Sequence, residues 1–295
     1  MKHENNESPV KYILDFFRDQ LETWELARNN YSYLAQAQRK TFSCGDLLGY
    51  VQCNPKRAVS THAKVDKASI LKRKCFLCKP NRPVEQTGLE IMEGWELLVN
   101  PYPILNPHFT IASRNHTIQK LEIEAGIRLA KLLPGFVVFY NDSGAGASAP
   151  DHCHYQAVLK NELPLINLLD KEWKFNNTDS LKNLNLPFNL FCKDFSLDKG
   201  SSSDMKEYEK FLLPETIQNP VNAFFWCLDS GDIRCVIIPR KAHRPDLFFF
   251  PPPARRAISP GAIDMAGILV TPEIEDFEKI NEEEIYSIYR QVGIQ

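Results

Sequence analysis

Three things are scarce in this 295-residue sequence: net charge, long apolar runs and cysteine. Lys plus Arg total 35 against 37 for Asp plus Glu, which leaves a formal charge of −2. A broad, charge-driven grip on duplex DNA or RNA needs a basic face, and this balance does not supply one. It still leaves room for a small basic pocket around phosphates. No uncharged apolar run approaches the roughly 18 residues of a membrane helix. The N-terminal MKHENNESPVKYILDFF holds no apolar stretch long enough for a signal peptide. The expectation is a cytoplasmic protein with neither a membrane nor duplex nucleic acid as partner. The eight cysteines (Cys44, Cys53, Cys75, Cys78, Cys153, Cys192, Cys227 and Cys235) are few for this length. Without an export signal they read as reduced thiols or metal ligands.

What is present is an ordinary globular composition, 43% hydrophobic and 24% charged, in a chain long enough for one large domain or two modest ones. Val10, Ile13, Leu14, Phe17, Leu21 and Trp24 recur at helical spacing and predict a helix over 10–29. Residues 40–65 read as mixed and polar, around the turn-like CNPKRAVST. Strands are expected at 95–99, 108–113, 136–141 and 152–159, with a helix from Leu121 to Leu133 stopped by Pro134-Gly135. AFFWCL and IRCVIIP form a strand pair across Asp229-Ser230-Gly231-Asp232. Phe248 to Pro253 is an aromatic, proline-rich loop, and 275–292 closes the chain as a helix. FTIASRNH and VIIPRKAH both read as strand, basic turn, His; coincidence and duplication explain this echo equally well.

The strongest chemical signal is His152-Cys153-His154-Tyr155-Gln156. On a strand, alternate side chains share a face, so residues 152, 154 and 156 would stand in one row. Just upstream, Asn141-Asp142-Ser143-Gly144-Ala145-Gly146-Ala147-Ser148 offers small residues and backbone N–H groups that can approach phosphate oxygens closely. A neutral imidazole can attack phosphorus and form a phosphoramidate that a second acceptor cleaves. The competing reading is a pair of ordinary histidines on an amphipathic strand. Cys75-x-x-Cys78 is the second signal, since a two-residue gap lets both thiolates reach one tetrahedral ion. Its missing ligands would be His116 and His152. Two buried thiols or a redox pair would give the same spacing.

Together, NPYPILNPHFTI (100–111), FYNDSGAGASAPDHCHYQ (139–156) and CFLC resemble the histidine-triad superfamily in its transferase branch. That branch holds galactose-1-phosphate uridylyltransferase, diadenosine tetraphosphate phosphorylase and GDP-hexose phosphorylase. VIIPRKAH and SPGAIDMAGILV (259–270) extend the resemblance less specifically. It implies that His154 is the nucleophile carrying the nucleotidyl group and that Gln156 binds phosphate oxygens. Asn141, Gly146 and Ser148 would line the phosphate site, and Arg57, in Asn54-Pro55-Lys56-Arg57, would contact the nucleotide, unless that segment is a solvated turn. It also implies a structural zinc on Cys75, Cys78, His116 and His152. Arg240, Lys241 and His243 could reach phosphates from the second half, although such basic turns are more often plain surface. Cys153 stands where the uridylyltransferases have Pro, Asp151 precedes the first His, and Gln156 replaces the third His of the small hydrolases.

The expected fold is α+β: an antiparallel sheet in two related histidine-triad-like halves, with helices on one side and at both chain ends. Residues 1–195 would carry the active site and 196–295 would close over the substrate. The expected activity is nucleotidyl transfer or phosphorolysis. The donor would be a nucleoside diphosphate sugar or dinucleoside polyphosphate, the acceptor phosphate or a sugar phosphate. A homodimer is a further expectation. Two rivals stand beside it: a hydrolase, in which water resolves the intermediate, and a zinc-stabilised, non-catalytic nucleotide- or RNA-binding protein using the aromatics of 248–250.

Overall fold

The computed structural model describes residues 9–55, 67–173, 184–196 and 219–295. Its centre is an eight-stranded sheet. The strands are β3 (Gly88–Met92), β4 (Trp95–Val99), β5 (His108–Ser113), β6 (Phe136–Asn141), β7 (His154–Leu159), β8 (Phe191–Phe195), β9 (Val221–Cys227) and β10 (Ile233–Pro239). They lie in the order β3-β4-β5-β7-β6-β9-β10-β8, and every neighbouring pair is antiparallel. Pairing of β6 with β9 makes the sheet continuous from the earlier strands to the later ones. The β9–β10 turn closes on Gly231, whose φ of +86° is a conformation that side chains with a Cβ rarely adopt.

A smaller sheet, β1-β2-β11, forms from Gln38–Cys44, Leu47–Cys53 and Ile268–Thr271. β1 and β2 make a hairpin, and β11 runs parallel to β2. Part of the segment read as mixed and polar is therefore regular sheet. Phe42, Cys44, Leu47, Val51 and Cys53 are buried while neighbours such as Thr41 and Leu48 are exposed, a half-buried alternation that the intervening polar residues disguise.

Both faces of the large sheet are apolar, and both are covered. On β6, Val137 and Phe139 enter a core shared with the small sheet and the helices Pro164–Glu172 and Glu282–Val292. Phe136, Val138 and Tyr140 enter a second core beneath α1 (Pro9–Thr23), α2 (Glu25–Leu34) and the helix Ile123–Leu132. The expectation of helices on one side is corrected accordingly: a near-continuous apolar strand such as FVVFYN needs a layer on each face. Each fully buried aromatic or aliphatic side chain contributes about 1.5–3 kcal/mol.

The expected helix over 10–29 is two helices. Buried Ile13, Phe17, Gln20, Trp24, Ala27, Tyr31 and Leu34 keep an unbroken 3–4 spacing, so periodicity cannot see the interruption. It falls at Trp24, which is extended (φ −117°, ψ 98°) between α1 and α2. The expected helix over 275–292 is likewise two, Ile274–Lys279 and Glu282–Val292. Asn281 ends the gap by accepting the Glu284 N–H at 2.9 Å, an N-cap. No described helix is long and apolar enough to cross a membrane.

Candidate active site and metal centre

β6 and β7 do not stay paired to their ends. Their ladder runs from Phe136↔Leu159 to Phe139↔Gln156 and stops, so Asn141 and His154 lie where the strands part. The buried amide of Gln119 fills this gap. Its Oε1 accepts the His154 N–H at 2.9 Å, and its Nε2 donates to the carbonyls of Asn141 at 2.8 Å and His154 at 3.0 Å. Gln119 thus fixes the spacing between the small-residue turn and the start of β7. No sequence motif marks it, because a lone Gln in a polar connection carries no pattern.

Over this opening lies a cavity of about 440 Å³. His154, Gln156, Thr110 and Phe139 form its floor, and Asn141 with Gly146–Ser148 one edge. His243, Arg244, Ser259 and Gly261–Asp264 come from the last quarter of the chain to form an adjoining wall. Trp24, Phe76, Leu77 and Tyr102 add an apolar and aromatic wall. The turn and the C-terminal wall meet closely: Gly146 has φ +98°, and a Cβ there would sit 2.6 Å from the Gly261 Cα, so only glycine fits.

The His154 ring has one defined tautomer. Its Nδ1 lies 2.8 Å from the carbonyl of His152; a carbonyl can only accept, so Nδ1 carries the proton and Nε2 keeps its lone pair. Burial lowers the ring's pKa to about 4, against a smaller upward pull from that carbonyl, and the ring is neutral at pH 7. Gln156 is oriented the same way. The Ile104 N–H donates to His108 Nδ1 at 3.2 Å, which leaves Nε2–H to donate to Gln156 Oε1 at 2.8 Å. The Gln156 carboxamide oxygen is thereby occupied and its N–H₂ remains to donate. Asn141 uses its own oxygen to accept from Asn222 Nδ2 (2.9 Å) and the Ala262 N–H (2.7 Å), tying the turn to the C-terminal wall.

His152 departs from the expected row. β7 begins at His154, and His152 sits in the preceding turn with its ring among Cys75, Cys78 and His116. Cys75 Sγ is 3.3 Å and Cys78 Sγ 3.6 Å from His152 Nδ1, and Cys78 Sγ is 3.2 Å from His116 Nδ1. One ligand atom from each of the four lies within 4.8 Å of the others, a spacing that a single ion spans. His152 Nε2–H donates to the Ser113 carbonyl at 2.7 Å, which leaves Nδ1 to ligate, the outer-shell arrangement usual for metal-bound histidine. Burial alone would push the Cys75 thiol up, yet hydrogen bonds from His152 and from the Leu77 and Cys78 backbone hold it at about 6. These four residues could hold a metal ion. His152 and His154, two positions apart, therefore serve different sites.

Of the remaining sequence candidates, Arg57 lies outside the described residues. Arg240 does not line the cavity: it is fully buried, donating to Asn222 Oδ1 at 2.6 Å and to the carbonyls of Val292, Ala242, His243 and Pro260. It is a clamp for the C-terminal wall. Lys241 is exposed and absent from the cavity lining, whereas His243 and its neighbour Arg244 are on it.

Comparison with known proteins agrees with this architecture. Residues 16–159 match a family model described as a domain of unknown function, DUF4922. No curated protein matches the sequence. Among solved structures, the fold is shared with a nucleotide phosphorylase. That protein is the yeast Ap4A phosphorylase Apa2, at 15% identity and TM-score 0.60, covering 91% of this chain and 97% of that one. Its complex with Ap4A matches at the same identity and TM-score over 91% and 96%. Its complex with AMP matches at 15% identity and TM-score 0.58 over 93% and 96%. The α+β fold expected from the histidine-triad resemblance is the fold found.

Proposed function

We propose that this protein is a nucleotidyl-transferring phosphorylase working through a nucleotidyl-histidine at His154. The observation that carries the reading is the His154 tautomer: a neutral Nε2 lone pair on the floor of a cavity, with Nδ1–H anchored on a backbone carbonyl. The substrate is a dinucleoside polyphosphate, as bound by the yeast enzyme of the same fold, or a nucleoside diphosphate sugar. Its α-phosphorus sits over Nε2, which forms the N–P bond as the bridging oxygen leaves with its electron pair. A phosphate leaving group needs little protonation at neutral pH. The Gln156 N–H₂ and the 146–148 turn offer hydrogen bonds to the non-bridging oxygens as charge develops, and Phe76, Leu77, Trp24 and Tyr102 offer apolar faces to the base.

The Cys75, Cys78, His116 and His152 set fits zinc, whose usual ligands are thiolate and imidazole in tetrahedral array. Its task would be structural, fixing the turn that leads into His154. Residues 1–195 would supply the nucleophile and residues 196–295 the closing wall.

Intact-mass measurement after mixing with dinucleoside polyphosphates and nucleotide sugars tests the reading. A gain of one nucleoside monophosphate is expected for the parent protein and none for His154→Ala. An adduct that survives in that variant would overturn the assignment.

A further inference from the structure

Arg244, like its neighbour Arg255, differs from the other buried or half-buried arginines among the described residues. Arg82, Arg234 and Arg256 each hold a carboxylate, of Glu96, Asp194 and Glu284 respectively, and Arg240 holds carbonyls. Arg244 spends only Nε on the protein, donating to Ser259 Oγ at 3.0 Å. Among the described residues no acceptor meets its two terminal nitrogens, and no carboxylate pairs with it. Its guanidinium carbon lies 4.1 Å from the centre of the Phe248 ring, which Arg255 also approaches at 5.4 Å. A cation held by an aromatic ring and a hydroxyl, beside a second cation and without a counter-charge, is arranged for an anion that arrives from solution. It is also the only residue of fixed positive charge on the described cavity lining. The wall it stands on meets the edge formed by Gly146–Ser148 where Gly261 packs on Gly146.

We propose that Arg244, with Ser259 beside it, is the seat for the acceptor phosphate. It would make the protein a phosphorylase rather than a hydrolase. This rests on the nucleotidyl-histidine reading above. In the second half-reaction an oxygen of inorganic phosphate, held by the two terminal guanidinium nitrogens, forms the new P–O bond. The Nε2–P bond breaks, its electron pair returns to Nε2, and a nucleoside diphosphate leaves. Nδ1 keeps its proton throughout, donated to the His152 carbonyl. In the first half-reaction the same seat holds the phosphate end of the leaving group, because the two displacements are the reverse of one another at that position. Water, having no charge for Arg244 to hold, gains nothing from the seat.

The test is product partitioning with inorganic phosphate as the probe. The protein is loaded with nucleotidyl group, separated from donor, and resolved at a series of phosphate concentrations. The parent protein should release mainly nucleoside diphosphate. Arg244→Gln should need roughly tenfold to a hundredfold more phosphate to do so, the loss of one or two hydrogen bonds to a charged group, and release nucleoside monophosphate instead. Arg244→Lys should recover part of the preference, and Phe248→Leu, which leaves the guanidinium in place but unseated, should fall between. An adduct that forms normally in Arg244→Gln, with the phosphate dependence of the parent, overturns the seat and leaves the nucleophile standing. Absence of any adduct in the parent protein overturns the reading beneath it. Binding of phosphate to His154→Ala, followed by calorimetry, gives a readout free of turnover: Arg244→Gln in that background should abolish it, and unchanged affinity overturns the proposal.

Discussion

The side chain of Gln119 and the backbone of His154 are joined in both directions, N–H to Oε1 at 2.9 Å and Nε2 to carbonyl at 3.0 Å. A third bond reaches Asn141 at 2.8 Å. One buried carboxamide therefore stands in for the missing rungs where β6 and β7 part. Gln119→Leu leaves the His154 N–H and two carbonyls unpaired in a buried place, at about 1–3 kcal/mol for an orphaned group. We expect a lowered melting temperature and at least a tenfold fall in the rate of His154 nucleotidylation, with donor KM changing much less. Gln119→Glu keeps the acceptor and loses the donors, and should lie between the two. Equal rates in Gln119→Leu and the parent would remove the positioning role.

The Cys75, Cys78, His116 and His152 cluster predicts one bound metal ion per chain by elemental analysis. Chelation should release it and lower the melting temperature by on the order of 5 °C, about 2 kcal/mol in a chain of this size. Cys75→Ser should bind the ion weakly and melt near the chelated value. Identical melting curves with and without chelator would contradict a structural site.

Asp194 is buried against Arg234, which reaches it with Nε at 2.7 Å and a terminal nitrogen at 3.0 Å, and it also accepts the Trp173 indole N–H at 3.1 Å. Arg234 also reaches Asp170 Oδ1 at 3.2 Å, so Arg234→Met strands the buried Asp194 and should cost about 3–5 kcal/mol, whereas Asp194→Asn, which leaves Arg234 its Asp170 partner, should cost less, both read by denaturant titration. An apolar double replacement should cost less than the sum of the two.

His243 supplies a pH signature. Burial, then the nearby charges of Arg244 and Arg240, lowers its pKa from 6.5 to about 4. Between those values the unfolded chain binds a proton that the folded chain does not. Stability is therefore complete above about 6.5, falls as the pH drops toward 4 and levels below it. The share of this half-buried ring is at most about 3 kcal/mol. Stability of His243→Gln should fall less steeply with acid over that window, and an unchanged slope would show that His243 titrates normally in the folded state.

Much of this was legible in the linear chain. Strands 95–99, 108–113 and 136–141 follow from compact β-rich runs bounded by Pro, Gly and Asn, and the CxxC spacing with its two histidines named a cluster that the fold assembles. Strand periodicity also placed His154 and Gln156 on one face. The same periodicity misplaced His152, because which residue starts a strand depends on what pulls on the preceding turn, here the pair of thiols. Trp24 kept its helical spacing across a real break for the same reason: spacing reports which side chains are buried, not whether the backbone between them is continuous. Gln119, Arg244 and the clamp role of Arg240 have no local pattern at all. Their meaning depends on partners as far as 52 residues away or on the absence of one, and that is set only when β6 separates from β7 and the last quarter of the chain folds across the opening. Local chemistry in this protein was written in the sequence, whereas the choice of which cation is paired and which is left to face the cavity was made by tertiary packing, since desolvation and pairing exist only once the chain is folded.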